Sequence, residues 1–173
     1  RENCDHDQKY NPENYKNQIE FSQAFGCRKE SIQGGQFQVR ENSLFKSNGK
    51  VYCSLIEKGG RYREAPCLAK YQGSIESKYN IQERESLTKE QFIETYYNSN
   101  SNYLFDNYTS KIDNHAFRAE YATNLYKELA EQKETVIKND YRGYDSTILK
   151  EVSEALGHSR ISVVVDHYLR END

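Results

Sequence analysis

Residues 43–68 have the sequence SLFKSNGKVYCSLIEKGGRYREAPCL, in which two tight-turn signals separate three partly apolar runs. Asn48-Gly49 is the strongest short-range signal for a β-hairpin, because both residues accept the positive φ that a two-residue turn requires. Gly59-Gly60 marks a second tight turn. The segment therefore predicts a three-stranded antiparallel sheet over residues 37–46, 50–57 and 61–67.

Helical signals lie on both sides of this sheet. Asn11 followed by Pro12 is typical of a helix start, and Gly26 is typical of a helix end. Capping residues and apolar spacing predict further helices over residues 28–33, 88–97, 113–132 and 146–156 and after Ser162, whereas residues 70–85 and 133–145 are predicted to be irregular. The expected fold is mostly α with a small three-stranded antiparallel sheet, an α+β class.

The composition is that of one domain with a real core. The chain has 173 residues, and its 15 Tyr and 7 Phe can fill that core although aliphatic residues are few. It contains no methionine and begins at Arg1. We therefore expect residues 1–173 to form a single domain excised from the C-terminal part of a longer protein, with residues 1–10 disordered.

The location of the protein is inferred from what the sequence lacks. No apolar run approaches the roughly 18 residues of a membrane helix, and no signal-peptide pattern opens the chain. The four cysteines (Cys4, Cys27, Cys53 and Cys67) have no zinc-ligand spacing. We expect reduced structural thiols in a cytoplasmic protein that needs no membrane.

Two later segments carry side chains that could take part in catalysis. In NHAFRAEYATNLY, residues 114–126, His115 and Arg118 lie three positions apart and would share one face of a helix. In LGHSRISVVVDHY, residues 156–168, His158 follows a glycine and Tyr168 comes ten residues later. Taken singly these residues are ordinary, because a His and an Arg at a helix start are often exposed and a His after a helix-ending glycine is favoured by the helix dipole.

In combination, these motifs resemble the tyrosine recombinases, the phage-type integrases. That family has H-x-x-R, then L-G-H, then a nucleophilic Tyr nine or ten residues later, which here are HAFR, ALGH and Tyr168. The resemblance implies two further residues upstream, an Arg after a helix-ending Gly and a Lys between two strands. AFGCR supplies Arg28 and EKGGRYREAP supplies Lys58, so the resemblance covers most of the chain.

The resemblance implies a role for each of these residues. Tyr168 would attack a DNA phosphodiester and form a 3′-phosphotyrosine, while Arg28, Arg118 and His158 bind the phosphate. Lys58 would protonate the leaving 5′-hydroxyl, and His115 would accept the proton of Tyr168. The catalytic set would thus be Arg28, Lys58, His115, Arg118, His158 and Tyr168, with no metal, nucleotide or other cofactor.

The family also implies partners and a setting. Its members recombine double-stranded DNA as tetramers, using an additional N-terminal core-binding domain that we expect to be absent from this chain, so the chain alone is expected to be monomeric. We expect a bacterial enzyme that acts at the nucleoid and is carried by a phage, a conjugative transposon or an integrated island. Without the second domain, we expect weak binding to duplex DNA at about 0.15 M salt.

Two features depart from the family pattern. The family places an acidic residue three after the first Arg, whereas this chain has Ser31 there and Glu30 one position earlier. Glu30 could support Arg28 through a shifted turn, or the role could be vacant. Residues 130–149 are charged and do not align with the pattern.

Three other readings remain open. A type IB topoisomerase uses a similar set of residues, and a DNA-binding regulator could keep the fold without catalysis. A metal site formed by His115, His158 and His167 is less favoured because no carboxylate has a fitting spacing. The net charge of −3 disfavours general DNA binding but permits a local basic face. That face would contain Arg28, Lys58, Arg61, Arg63 and Arg118, leaving acids such as Glu128, Glu131 and Glu134 elsewhere.

Overall fold

The computed structural model describes residues 10–98, 100–107, 109–133 and 140–169. Helices account for about half of these residues, so the mixed helix-and-strand class is confirmed. The helices are α1 (Lys16–Phe25, after a 3-10 turn at Pro12–Tyr15), α2 (Lys29–Ile32), α3 (Ala69–Lys78), α4 (Lys89–Asn98), α5 (Asn114–Lys133), α6 (Ser146–Ala155) and α7 (Ile161–His167). The strands are β1 (Leu44–Ser47), β2 (Lys50–Glu57), β3 (Arg61–Pro66), β4 (Gln82–Glu83), β5 (Asp140–Tyr141) and β6 (Tyr144–Asp145).

The main sheet has the strand order β3-β2-β1-β4. Strands β1, β2 and β3 pair antiparallel, but β4 pairs parallel with β1. The prediction of a three-stranded, wholly antiparallel sheet is therefore wrong by one strand. Strand β4 follows α3, a crossover that returns the chain in the parallel direction, and its two exposed residues show no alternation that a sequence could reveal.

The two predicted tight turns set the register of the sheet. Asn48 and Gly49 both have positive φ, 52° and 80°, and this turn pairs Ser47 with Lys50 and Leu44 with Cys53. Gly59 and Gly60 follow Lys58 with φ of 77° and 76°. Strand β1 begins at Leu44 rather than at residue 37, because the chain before it forms a bridge and a 3-10 turn.

Most predicted helices are present, with one omission. Gly26 ends α1 at φ 63°, and Thr88 and Gln91 exchange the two hydrogen bonds of a capping box at α4. Residues 70–85 were expected to be irregular, but they contain most of α3. The pattern was weak there, because Ile75 is the one fully buried residue of this helix.

The charged stretch 130–149 is more ordered than expected. It holds the end of α5, the hairpin β5–β6 and the start of α6, while residues 134–139 lie outside the described part of the chain. The hairpin turns at Arg142-Gly143, where both residues have positive φ. Asp145 caps α6, because its carboxylate accepts from the backbone N–H groups of Thr147 and Ile148.

The core has two main parts, and the candidate site lies where they meet. One part packs α1 against the main sheet through side chains such as Phe21, Phe25 and Leu55. The other packs α5, α6 and α7 together through side chains such as Tyr121 and Val152. No helix among the described residues has both the length and the apolar character to cross a membrane.

The cysteines of the described chain are reduced. Cys27, Cys53 and Cys67 are free and buried, and burial is the main cause that raises the pKa of each thiol. A raised pKa keeps a thiol protonated and unreactive near neutral pH. These three residues therefore serve packing, and Cys4 and His6 lie outside the described residues.

Candidate active site

Tyr168 is the residue around which the other candidates gather. It lies just after α7, and its side chain is buried, with 6% of the residue exposed. Its hydroxyl oxygen accepts a hydrogen bond from Nε of Arg118 over 3.4 Å. The Cζ atom of that guanidinium lies 5.5 Å from the centroid of the phenol ring.

Two histidine rings flank the phenol. The ring centroid of His115 lies 5.6 Å from that of Tyr168, and the centroid of His158 lies 5.9 Å from it. His115 comes from the first turn of α5, whereas His158 follows the glycine that ends α6. Helix α5 and the segment between α6 and α7 thus place two imidazoles and one guanidinium around one phenol.

Arg118 joins these elements from inside the protein. It is buried, with 2% exposed, and donates to the carbonyl oxygens of Gly26 over 2.7 Å and of Leu156 over 3.2 Å. These carbonyls end α1 and follow α6, where helix carbonyls lack internal partners and favour a cation. Burial, and then the nearby Arg63, lower the pKa of Arg118 below its ordinary value.

A cavity of about 330 Å³ gathers most of the predicted basic face. Its lining includes Arg28, Lys58, Arg61, Arg63 and His158. Glu57 also lines it and is already paired with Arg63. A cavity with several cations and one committed carboxylate favours an anion such as a phosphate.

The six predicted residues are divided between two cavities. Arg28, Lys58 and His158 line the first cavity, whereas His115 and Tyr168 line a second one of about 560 Å³. Arg118 lines neither, but it touches Tyr168 and its charge acts on His158. The six side chains therefore do not open to one common cavity, and Arg118 lies between Tyr168 of one group and His158 of the other.

One ring nitrogen of His158 has no described hydrogen-bond partner. Its Nε2 is buried and has no hydrogen-bond partner among the residues that the structure describes. Burial, followed by Arg118 and Arg28, lowers the pKa of His158 to about 4. The imidazole is therefore neutral at pH 7, and in the tautomer with a proton on Nε2 it can donate to an anion.

The acidic residue expected near Arg28 comes from a different element. Ser31 Oγ donates to Glu57 Oε2 over 2.6 Å, and the backbone N–H of Arg28 donates to the same oxygen over 2.7 Å. Glu30 instead accepts from the backbone N–H of Lys58 over 2.8 Å. Glu57 therefore supports the Arg28 segment, while Glu30 supports the lysine turn.

Glu57 is the residue that sequence reasoning missed. It is 5% exposed and bonded to Arg63, and burial acts to raise its pKa while Arg63, Ser31 and Arg118 together hold it below its usual value. The available signal was its position at the end of the apolar run VYCSLI, where a charged residue is costly without a partner.

The remaining candidate, His167, lies at the edge of the second cavity. It is exposed and comes directly before Tyr168. Within residues 10–98, 100–107, 109–133 and 140–169, no group of three or more His, Cys, Asp or Glu side chains is arranged to hold a metal ion. His115, His158 and His167 therefore do not form the alternative metal site.

Comparisons of the chain with models of known families, with curated proteins and with solved structures find no match.

Proposed function

We propose that the chain is the catalytic domain of a site-specific DNA recombinase of the tyrosine recombinase type. In this reaction the Tyr168 hydroxyl attacks a DNA phosphodiester. A new bond forms between its oxygen and phosphorus, and the bond from phosphorus to the 5′-oxygen breaks. The product is a 3′-phosphotyrosine and a free 5′-hydroxyl, and attack by another 5′-hydroxyl reverses the step and joins the strands.

The contact between Arg118 and Tyr168 carries this proposal. A phenol has an ordinary pKa of about 10 and becomes a useful nucleophile beside a fixed cation. The guanidinium stabilises negative charge on the phenol oxygen during attack, and the neighbouring His115 accepts the proton that the phenol gives up. The same contact also gives the buried hydroxyl a hydrogen-bond partner, so the test of the proposal must measure chemistry as well as folding.

The basic cavity supports the second half of the chemistry. Arg28 offers a planar fork for the nonbridging oxygens, and the buried Nε2 of His158 offers a donor. Lys58 is exposed at its turn and can give a proton to the departing 5′-oxygen. Tyr168 and Lys58 line different cavities in the free protein, so the reaction requires the two cavities to join around one phosphate when DNA binds.

A trapping experiment tests the proposal without knowledge of the DNA site. The protein is incubated with a pool of randomised duplexes that carry a nick, so that a short 5′-hydroxyl strand diffuses away after cleavage. A covalent protein–DNA band in denaturing gels is expected, and Tyr168→Phe should abolish it. Tyr97→Phe is the matched control, because Tyr97 is an exposed tyrosine outside both cavities.

The outcomes separate the remaining readings. Absence of any adduct, with the fold and DNA binding intact, would favour a non-catalytic DNA-binding protein. An adduct that persists in Tyr168→Phe would make another tyrosine the nucleophile, with Tyr126, Tyr141 and Tyr144 next in order. Relaxation of supercoiled plasmid without any joining of two duplexes would favour a topoisomerase.

A further inference from the structure

Three consecutive carbonyl groups at the end of α6 each accept a hydrogen bond from a different arginine. Such carbonyls are left without partners by the helix itself, and a cation there is favoured by the helix dipole. Two of the arginines come from β3 and the third from α5. The pairs are Arg63 with Ala155, Arg118 with Leu156 and Arg61 with Gly157.

Arg63, like Arg118, also reaches the end of α1. Its NH2 group donates to the carbonyl oxygen of Gly26 over 3.1 Å, the same oxygen that accepts from Arg118. Arg28 follows Gly26 by two residues, and His158 follows Ala155 by three. One guanidinium therefore holds the segments that carry two of the candidate phosphate ligands.

Glu57 fixes the direction of this guanidinium. Its Oε1 accepts from Nε of Arg63 over 3.1 Å and from NH2 over 2.9 Å, while its Oε2 accepts from the backbone N–H of Arg28. Both side chains of the ion pair are 4% exposed. Each nitrogen of Arg63 and each carboxylate oxygen of Glu57 thus has a partner, and such a buried pair orients the groups bonded to it.

We propose that Arg63, held by Glu57, is a positioning residue that sets the spacing between Arg28 and His158 in the anion cavity. This inference rests on the proposed function for its chemical meaning, although its geometric part concerns the free protein. Arg63 lines the cavity with only a small exposed surface, so its effect acts through the two helix ends rather than through contact with the reacting atoms.

Arg63→Lys is the informative variant, because lysine keeps the charge but lacks the planar fork that serves Glu57, Gly26 and Ala155 together. Two measurements are made on the folded protein. The first is the affinity for inorganic phosphate, followed by the NMR signal of the His158 imidazole. The second is the rate of adduct formation on nicked DNA, set against the affinity for the same DNA.

Arg63→Lys should weaken phosphate binding at least tenfold and slow adduct formation by about 10²-fold, as a misplacement near 1 Å does. The affinity for DNA should change less than twofold. Arg40→Lys is the matched control, because Arg40 donates to the Tyr96 carbonyl and packs on that ring away from both cavities. It should lower the melting temperature without changing phosphate affinity or adduct rate.

A second variant provides the test if Arg63→Lys does not fold. Glu57→Gln with Arg63→Met removes both charges of the pair, while the buried Arg118 loses the carboxylate 3.9 Å away but keeps its two carbonyl partners. Wild-type phosphate affinity in either folded variant would overturn the positioning role, even if adduct formation by the wild type upholds the proposed function. If the variants bind phosphate more weakly and the wild type forms no adduct, the positioning role would be upheld and the recombinase proposal overturned.

Discussion

Nε of Arg118 lies 3.4 Å from the hydroxyl oxygen of Tyr168, while the other two nitrogens of the same guanidinium bind the carbonyls of Gly26 and Leu156. One side chain therefore connects the end of α1, the end of α6 and the phenol that follows α7. Structure and proposed chemistry depend on the same group, so changes at Arg118 should affect both.

Arg118→Lys should lower both the stability of the fold and the rate of adduct formation, but by different amounts. An ammonium retains the charge but cannot reach three oxygens in different directions, so we expect the free energy of unfolding to fall by about 2 kcal/mol from the lost hydrogen bonds. Adduct formation should fall by about 10²–10³-fold, because the donor beside the reacting oxygen is lost. Urea unfolding and adduct kinetics measure the two effects, and a fully active variant would contradict the role of Arg118.

Gly26→Ala should disrupt the end of α1. Gly26 has φ 63°, a left-handed backbone conformation that costs an alanine about 1–2 kcal/mol. The added Cβ would also lie 2.7 Å from Cγ of Tyr121 and clash with the core. Gly143→Ala is the control, with φ 88° and no atom within 4 Å of the added carbon. We expect Gly26→Ala to lose more than twice the stability that Gly143→Ala loses in urea unfolding, and equal losses would remove the packing argument.

A DNA substrate with a better leaving group should restore the rate of adduct formation that Lys58→Ala loses. Without the ammonium, the 5′-oxygen departs unprotonated and adduct formation should slow by about 10²–10⁴-fold. A substrate with sulfur in place of the bridging 5′-oxygen needs no proton, since a thiol has a pKa near about 8.5. Adduct rates of the variant and the wild type should then agree within a few-fold, and a variant that stays slow on the sulfur substrate would exclude Lys58 as the acid.

His158 should make the protein less stable in mild acid. Its pKa is lowered to about 4 in the folded chain, so the unfolded chain takes up a proton first as the pH falls. The stabilisation of the folded state by the neutral His158 is therefore fully present above about pH 6.5 and is lost as the pH falls from about 6.5 to 4. Because His158 is partly exposed, we expect a loss of about 1–2 kcal/mol rather than the full value of the shift.

The matched variant for this prediction is His158→Asn, which keeps a donor but does not titrate. Urea unfolding at several pH values should show a shallower decline for His158→Asn than for the wild type over this interval. Identical pH profiles of the two proteins would show that His158 does not titrate as described.

Local signals in the sequence predicted the turns and most helix ends. Asn48-Gly49, Gly26 and the Thr88 capping box act through backbone conformation and neighbouring hydrogen bonds, which a short window of sequence contains. Helix α3 and strand β4 were missed because their packing supplies the order that their own residues do not signal. Ile75 is buried in the core cluster that also contains Phe21 and Phe25 of α1 and Leu55 of β2.

The candidate site shows the same division. Motif spacing singled out Arg118, His158 and Tyr168, whose contacts the structure describes. Arg63 was grouped only with a basic face, although it is buried against a carbonyl that lies 92 positions later in the chain. Glu57 was not considered, since its value comes from partners on α2, β3 and α5 that no local pattern links to it.

Glu57 and Lys58 are adjacent, yet the carboxylate is buried among guanidinium groups and the ammonium is exposed at the cavity. A deletion of one residue in β2 would move Lys58 into the place of Glu57, and its ammonium would then lie among the guanidinium groups of Arg63 and Arg118. An insertion of one residue would instead move Glu57 into the exposed place at the cavity. The length of β2 therefore determines the sign of the charge at both of these places.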